Sequence, residues 1–227
     1  MFRTLIASVL LLGVQSAAAV TLAEISNQDA VAGLREALVQ GSGHAIGLLG
    51  KTDGFLGNPK VRIPLPQSLQ RIEGTMRMFG LGRQADELVT TMNHAAEAAV
   101  PEAKALLVDA IRKMSISDAK GILSGSHDAP TQYFRRTTTG PLTARFLPIV
   151  QQATAKVQLT EMYNTYAGKA ASFGLLDAAD ANLDQYITQR ALDGLFIMIA
   201  EEEKSIRANP MGSAISIVKR VFGAIGK

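Results

Sequence analysis

The side chains of this sequence best equipped for chemistry are carboxylates and guanidiniums set among apolar neighbours. Asp193 stands inside Ala191-Leu-Asp-Gly-Leu-Phe-Ile-Met-Ile-Ala200, just before Glu201-Glu-Glu203. A carboxylate in such surroundings is costly unless paired, so a cation from another part of the chain is expected beside it. Arg62, Arg135, Arg136 and Arg145 are the candidates. Tyr133-Phe-Arg-Arg136 sets two aromatics before two guanidiniums, whose forks match carboxylates and phosphates. Brought together in a cleft, Arg62, Tyr133, Arg135, Arg136, Asp193 and Glu201 would suit an anionic small molecule or a lipid headgroup. Closed on one another, they form a structural ion-pair cluster that clamps residues 53–66 to Asp193 or to Glu201 through Glu203, and this is the expected arrangement. A hydrolase using Asp193 or these glutamates as acid or base would need two carboxylates open in one cleft with separated pKa values.

Other chemistries find less support. The histidines, His44, His94 and His127, are far apart. His94 and Glu97 share a helix face, but two ligands do not complete a metal site, and no recognised spacing supplies more. A helix-surface histidine is expected there, with no metal and no cofactor. No G-x-S-x-G elbow marks a nucleophile. Gly41-Ser-Gly43 and Gly80-Leu-Gly82 follow no strand and precede no Gly-Lys-Ser/Thr, so they are breaks rather than phosphate loops. The absence of cysteine removes disulfides, thiolate metal sites and Cys nucleophiles together.

The elements that must position these groups are helical. From Leu183 to Asn209 apolar residues nearly surround a helix at 3.6 residues per turn, which predicts a central helix buried on most sides and surfacing in its C-terminal third. Its apolar run falls short of the roughly 20 residues of a membrane span. With 47% hydrophobic and 19% charged residues and no Trp, the chain reads as all-α, a single-domain helical bundle wrapped around that helix.

Residues 1–19 read as a cleaved signal peptide: Arg3, an apolar run from Leu5 to Val14, then Ala17-Ala-Ala19. The expected product, residues 20–227, is one periplasmic domain with no transmembrane helix. Loss of Arg3 leaves 22 basic against 20 acidic residues, a charge of +2 that is too slight to suggest nucleic acid.

Helix starts are predicted at Thr21 and Ser26, followed by a first helix interrupted at Gly41-Ser-Gly43 and ended by Gly50. Residues 53–66, with three prolines and two glycines, cannot be helix and read as an extended strap with Val61, Ile63 and Leu65 on its apolar side. Further helices open at Pro66 or Ser68, after Gly82, at Pro101, at Ser117 and at Pro141, the last kinked by Pro148. Another starts at Thr160 and ends at Gly174, and Asp177 to Asp180 opens the central helix, which Asn209 to Gly212 closes. Residues 213–227 form an amphipathic C-terminal helix carrying Lys219 and Arg220, expected to dock on the bundle, with an anionic membrane as the other surface it could meet.

With these segments in place the chain resembles a bacterial family, domain of unknown function 4197. The resemblance rests on Leu22-Ala-Glu-Ile-Ser-Asn-Gln-Asp-Ala30, Asp53-Gly-Phe-Leu-Gly-Asn-Pro59, Val61-Arg-Ile-Pro-Leu-Pro66, Ala98-Ala-Val-Pro-Glu-Ala-Lys104, Tyr133-Phe-Arg135, Ala191-Leu-Asp-Gly-Leu-Phe196 and Ala200-Glu-Glu-Glu203. It implies an exported helical protein and brings no catalytic residues with it. Some members resemble lipoproteins, from which this cysteine-free chain departs. The functional expectation is a non-enzymatic binding or interaction module of the cell envelope, with an anionic small molecule, a lipid headgroup or an envelope protein as its partner. The alternatives are an envelope-component hydrolase and a membrane-peripheral structural protein held by its tail.

Overall fold

The structure, a computed structural model, describes residues 27–126, 128–157, 160–164, 167, 181–209 and 216–225. The expected signal peptide, the starts at Thr21 and Ser26, His127, the helix end at Gly174, the opener at Asp177 to Asp180 and the Pro210 to Gly212 stop lie outside them. The α-helices α1 (Asn27–Leu49), α2 (Gln67–Met78), α3 (Gly82–Ala99), α4 (Ala103–Lys113), α5 (Ile116–Ser124), α6 (Ala129–Thr154), α7 (Leu183–Ala208) and α8 (Ser216–Ile225) follow in order, and residues 160–164 and 167 between α6 and α7 are helical as well, as the predicted start at Thr160 required. A 3-10 turn, Val100–Glu102, joins α3 to α4 around Pro101. No strand occurs among the described residues.

Helix α7 is the axis. It packs against α1, α3 and α6, and Leu183, Ile187, Ala191, Leu192 and Leu195 on it are fully buried. Asn182 caps it, its side chain accepting the Gln185 amide at 3.0 Å, so the helix opens after the predicted Asp177 to Asp180. Glu201, Lys204 and Ser205 are exposed, so the predicted surfacing holds, although Glu203 turns inward and pairs with Arg207.

A break at Gly41-Ser-Gly43 and a separate helix start at Pro141 are both absent. Helix α1 runs unbroken through Gly41 and Gly43. Ser42 donates to the Leu38 carbonyl at 2.6 Å within the helix, a Cβ at Gly41 would make ordinary contact with Glu202 of α7 at 3.5 Å, and Gly43 is exposed. The helix penalty of about 1 kcal/mol per glycine is therefore carried by the helix as a whole, which buries Leu34, Leu38, Ala45 and Leu49 on either side. Helix α6 likewise continues through Pro141 and Pro148 as one element beginning at Ala129. Thr137, Thr138, Thr139 and Thr143 donate to carbonyls four residues back, at 2.6–2.9 Å, so their hydroxyls are satisfied within the helix.

The C-terminal helix docks on its own bundle. Val218 and Val221 of α8 are fully buried, and α8 meets α1 where Gly33 leaves space for the Val221 side chain.

Candidate functional site

Residues 53–66 reach across α3 and α7, and three devices fasten them. Phe55, fully buried, lies on the backbone of α7 at Gly194, where any Cβ would stand 2.5 Å from its ring. Glu97 of α3, itself buried, accepts the amides of Phe55 at 2.9 Å, Leu56 at 3.1 Å and Asp53 at 3.2 Å. An uncompensated buried carboxylate would be expensive; three converging N–H dipoles supply the compensation. Asn93, one turn earlier and fully buried, accepts the Ile63 amide at 2.8 Å and donates to the Ile63 carbonyl at 2.9 Å, imitating a strand partner. Tyr186 of α7 adds a hydroxyl bond to the Pro64 carbonyl at 3.1 Å.

The strap is extended only in part. From Lys51 to Arg62 it is a chain of turns, closed by amides of Gly54, Gly57, Asn58, Val61 and Arg62 onto carbonyls three or four residues back. Asp53 holds the left-handed conformation, φ 60°, which acidic and amide side chains tolerate better than most. Gly54 is required because a Cβ would approach the Leu49 and Leu48 carbonyl oxygens at 2.4 and 2.6 Å. The predicted alternation holds beyond the turns: Val61, Ile63 and Leu65 are buried while Arg62 and Pro64 face out.

The six residues singled out from sequence are not one cluster. Arg135 pairs with Asp193 at 2.9 Å and lies over the Phe196 ring at 4.8 Å, which selects one of the four predicted cations. Arg136, the next residue and on another side of α6, is in a different pair, bonding Asp118 at 3.1 Å and stacking on Tyr133. Tyr133 donates its hydroxyl to the Ala110 carbonyl at 2.7 Å, and burial pushes its phenol above the ordinary range. Glu201 takes Lys60 of the strap at 2.5 Å, and this hydrogen bond, with the ammonium charge, holds its carboxyl below the usual value. The clamp between strap and Glu201 therefore exists, but Lys60 forms it where an arginine was expected. Glu202 pairs with His44 at 2.7 Å.

Arg62 is separate from all of these. It is exposed and forms no ion pair among the described residues. It borders an open groove of about 790 Å³ between the strap and the α2–α3 hairpin, with Pro59, Pro64, Gln70, Val89 and Thr90 in its walls. Across the groove Arg77 bridges Glu73 at 2.8 Å and Asp86 at 2.7 Å, and its hydrogen bond pulls the Asp86 carboxyl down. Arg62 is thus the cation on this surface with charge to spare.

Sequence reasoning paired His94 with Glu97 but lacked a third member. The turn of the strap supplies Asp53, whose Oδ1 lies 3.3 Å from His94 Nε2. Only tertiary structure brings residues 41 positions apart together; the one sequence signal was Asp53-Gly54, a dipeptide suited to a turn.

Comparison with known proteins adds a family without an activity. No curated protein and no solved structure matches the chain. A family match spans residues 24–223, taking in the strap, its fastenings on α3 and the whole of α7. The chain belongs to DUF4197, a family of proteins of unknown function.

Proposed function

We propose that this protein is a non-enzymatic binding module of the cell envelope, exported by cleavage of residues 1–19, whose strap groove takes an anionic group. The observation that carries this reading is Arg62: a guanidinium without an ion pair among the described residues, on a segment whose flanking amides are tied to Asn93 and Glu97. The backbone that presents the guanidinium is fixed, and its planar fork is matched by carboxylates and phosphates. The acids named for a hydrolase point the other way. Asp193, Glu201 and Glu203 are each ion-paired with Arg135, Lys60 and Arg207, Glu202 lies 2.7 Å from His44, and Glu201 is shifted downward, opposite to the raised pKa of a general acid. Native mass spectrometry of wild-type and Arg62→Glu protein purified from their own envelope tests the reading. It predicts a co-purifying anionic species or partner on the wild type alone; a wild type that carries nothing contradicts it.

A second reading, peripheral attachment to a membrane, is favoured by one feature the sequence did not single out. The α2–α3 turn exposes Met78 (88%) and Phe79 (79%), with Leu81 beside them, and its tight Gly80 has φ +78°. The tail offers less support for it, because Val218 and Val221 are spent on α1. No helix among the described residues is long and apolar enough to cross a membrane. Flotation with anionic liposomes, lost on Phe79→Ser, would select this reading.

A further inference from the structure

Where the strap's first turn meets α3, three ligand-bearing side chains converge. Asp53 Oδ1, His94 Nε2 and a Glu97 carboxylate oxygen all lie within 4.8 Å of one another. The Nε2 to Oδ1 distance is 3.3 Å and Nε2 to Glu97 Oε2 is 3.9 Å. Tetrahedral bonds of about 2.0–2.2 Å to nitrogen and oxygen put neighbouring ligands roughly 3.3–3.6 Å apart, so the cluster needs only small side-chain adjustments to close on an ion.

We propose that Asp53, His94 and Glu97 form a divalent metal site, suited to zinc, with three protein ligands and an open fourth position. The donor set argues for the ion. An imidazole with two carboxylates suits zinc and its transition-metal neighbours, whereas calcium and magnesium favour all-oxygen shells. The ligands are also supported from behind. The Phe55 and Leu56 amides both bond Glu97 Oε1 and so orient the carboxylate, while Oε2 carries only the longer Asp53 amide contact and faces His94. Outer-shell orientation of this kind separates a built site from a chance cluster. Asp53 is held in place by its left-handed backbone and the Gly57 amide on its carbonyl. Entry is open, since the His94 and Asp53 side chains are 45% and 59% exposed.

An ion here would staple the first turn of the strap to α3. Metal occupancy and strap rigidity would then be one equilibrium, because a ligand that binds only the assembled site stabilises the assembled state. This inference does not depend on what the Arg62 groove binds.

The test is calorimetric titration of zinc into chelator-treated full-length mature protein, with thermal melts on the same samples. One equivalent of zinc is expected to bind and raise the Tm, with magnesium giving no rise. His94→Ala and Asp53→Asn change exposed side chains, so their metal-free melts should stay near wild type while zinc affinity falls at least ~10-fold. His44→Ala, which alters the separate His44–Glu202 pair, should bind zinc as wild type does. A wild type without zinc binding, a His94→Ala protein that binds equally well, or binding lost only with His44, would each overturn the site.

Discussion

Glu97 and Gly194 do for the strap what no residue of the strap does for itself. Glu97→Gln keeps the size and one acceptor oxygen but turns an amide N–H₂ toward backbone donors, which should cost about 1–3 kcal/mol in urea-induced unfolding, the range for stranding a buried polar partner. Gly194→Ala sets two effects against each other. Alanine gains up to ~1 kcal/mol of helix propensity, but its Cβ would sit 2.5 Å from the Phe55 ring, and overpacking of that kind costs about 1–3 kcal/mol. A net loss of stability is expected, with faster proteolysis near residue 55; a more stable Gly194→Ala protein would mean that Phe55 is not seated there. Neither role was legible beforehand. Asn93 and Glu97 stand in a helix otherwise read for its apolar stripe, and nothing local shows that their polar face lies under another segment. Asp193 was more readable: its neighbours on α7 demanded a cation, although four arginines remained eligible until α6 placed Arg135.

The elements differ in how much of them was visible. Amphipathic spacing located α3 and α4, because one buried face repeats along each, and an apolar circumference located α7. Glycine and proline misled at α1 and α6, where the buried faces on either side of them keep each helix continuous. Helix α5 is tied down by a capping box in which Ser115 accepts the Asp118 amide at 3.0 Å and Asp118 accepts from Ser115 in return. Ser115→Ala should therefore cost about 0.5–2 kcal/mol. The Ser115 hydroxyl is also the main reason the Asp118 carboxyl is held low, with Arg136 a lesser one, while Lys60 and Arg77 do the same for Glu201 and Asp86. Because these folded-state values lie below those of the unfolded chain, the unfolded state takes up protons first. Stability should then be level above the ordinary carboxylate range of about 3.9–4.3 and decline as pH falls through it and on through the lower folded values. Thermal melts between pH 6 and 2 check this, and Asp118→Asn should flatten part of the decline.

For the whole molecule, the decisive expectation was a buried central helix, and α7 meets it on three sides. Composition and the pattern of residues 183–209 together carried the fold class, since a helix apolar around most of its circumference needs a coat of other elements and the rest of the chain reads as helices. What composition could not carry was the order of the coat and the way α8 closes it. Gly33→Ala should loosen that closure, its Cβ falling 2.5 Å from the Val221 side chain and 3.1 Å from the Ile217 carbonyl. A drop in Tm together with increased cleavage near residue 216 is expected, and an unchanged melt would place the tail elsewhere. All of the functional reading rests on one larger claim, that residues 53–66 are a rigid part of the bundle although little regular secondary structure holds them. Native-state hydrogen exchange at the amides of Phe55, Leu56 and Ile63 tests it most directly. Protection comparable to the amides of α7, and collapsing at Phe55 and Leu56 in Glu97→Gln, is the predicted result; exchange at the rate of an open loop would contradict the account.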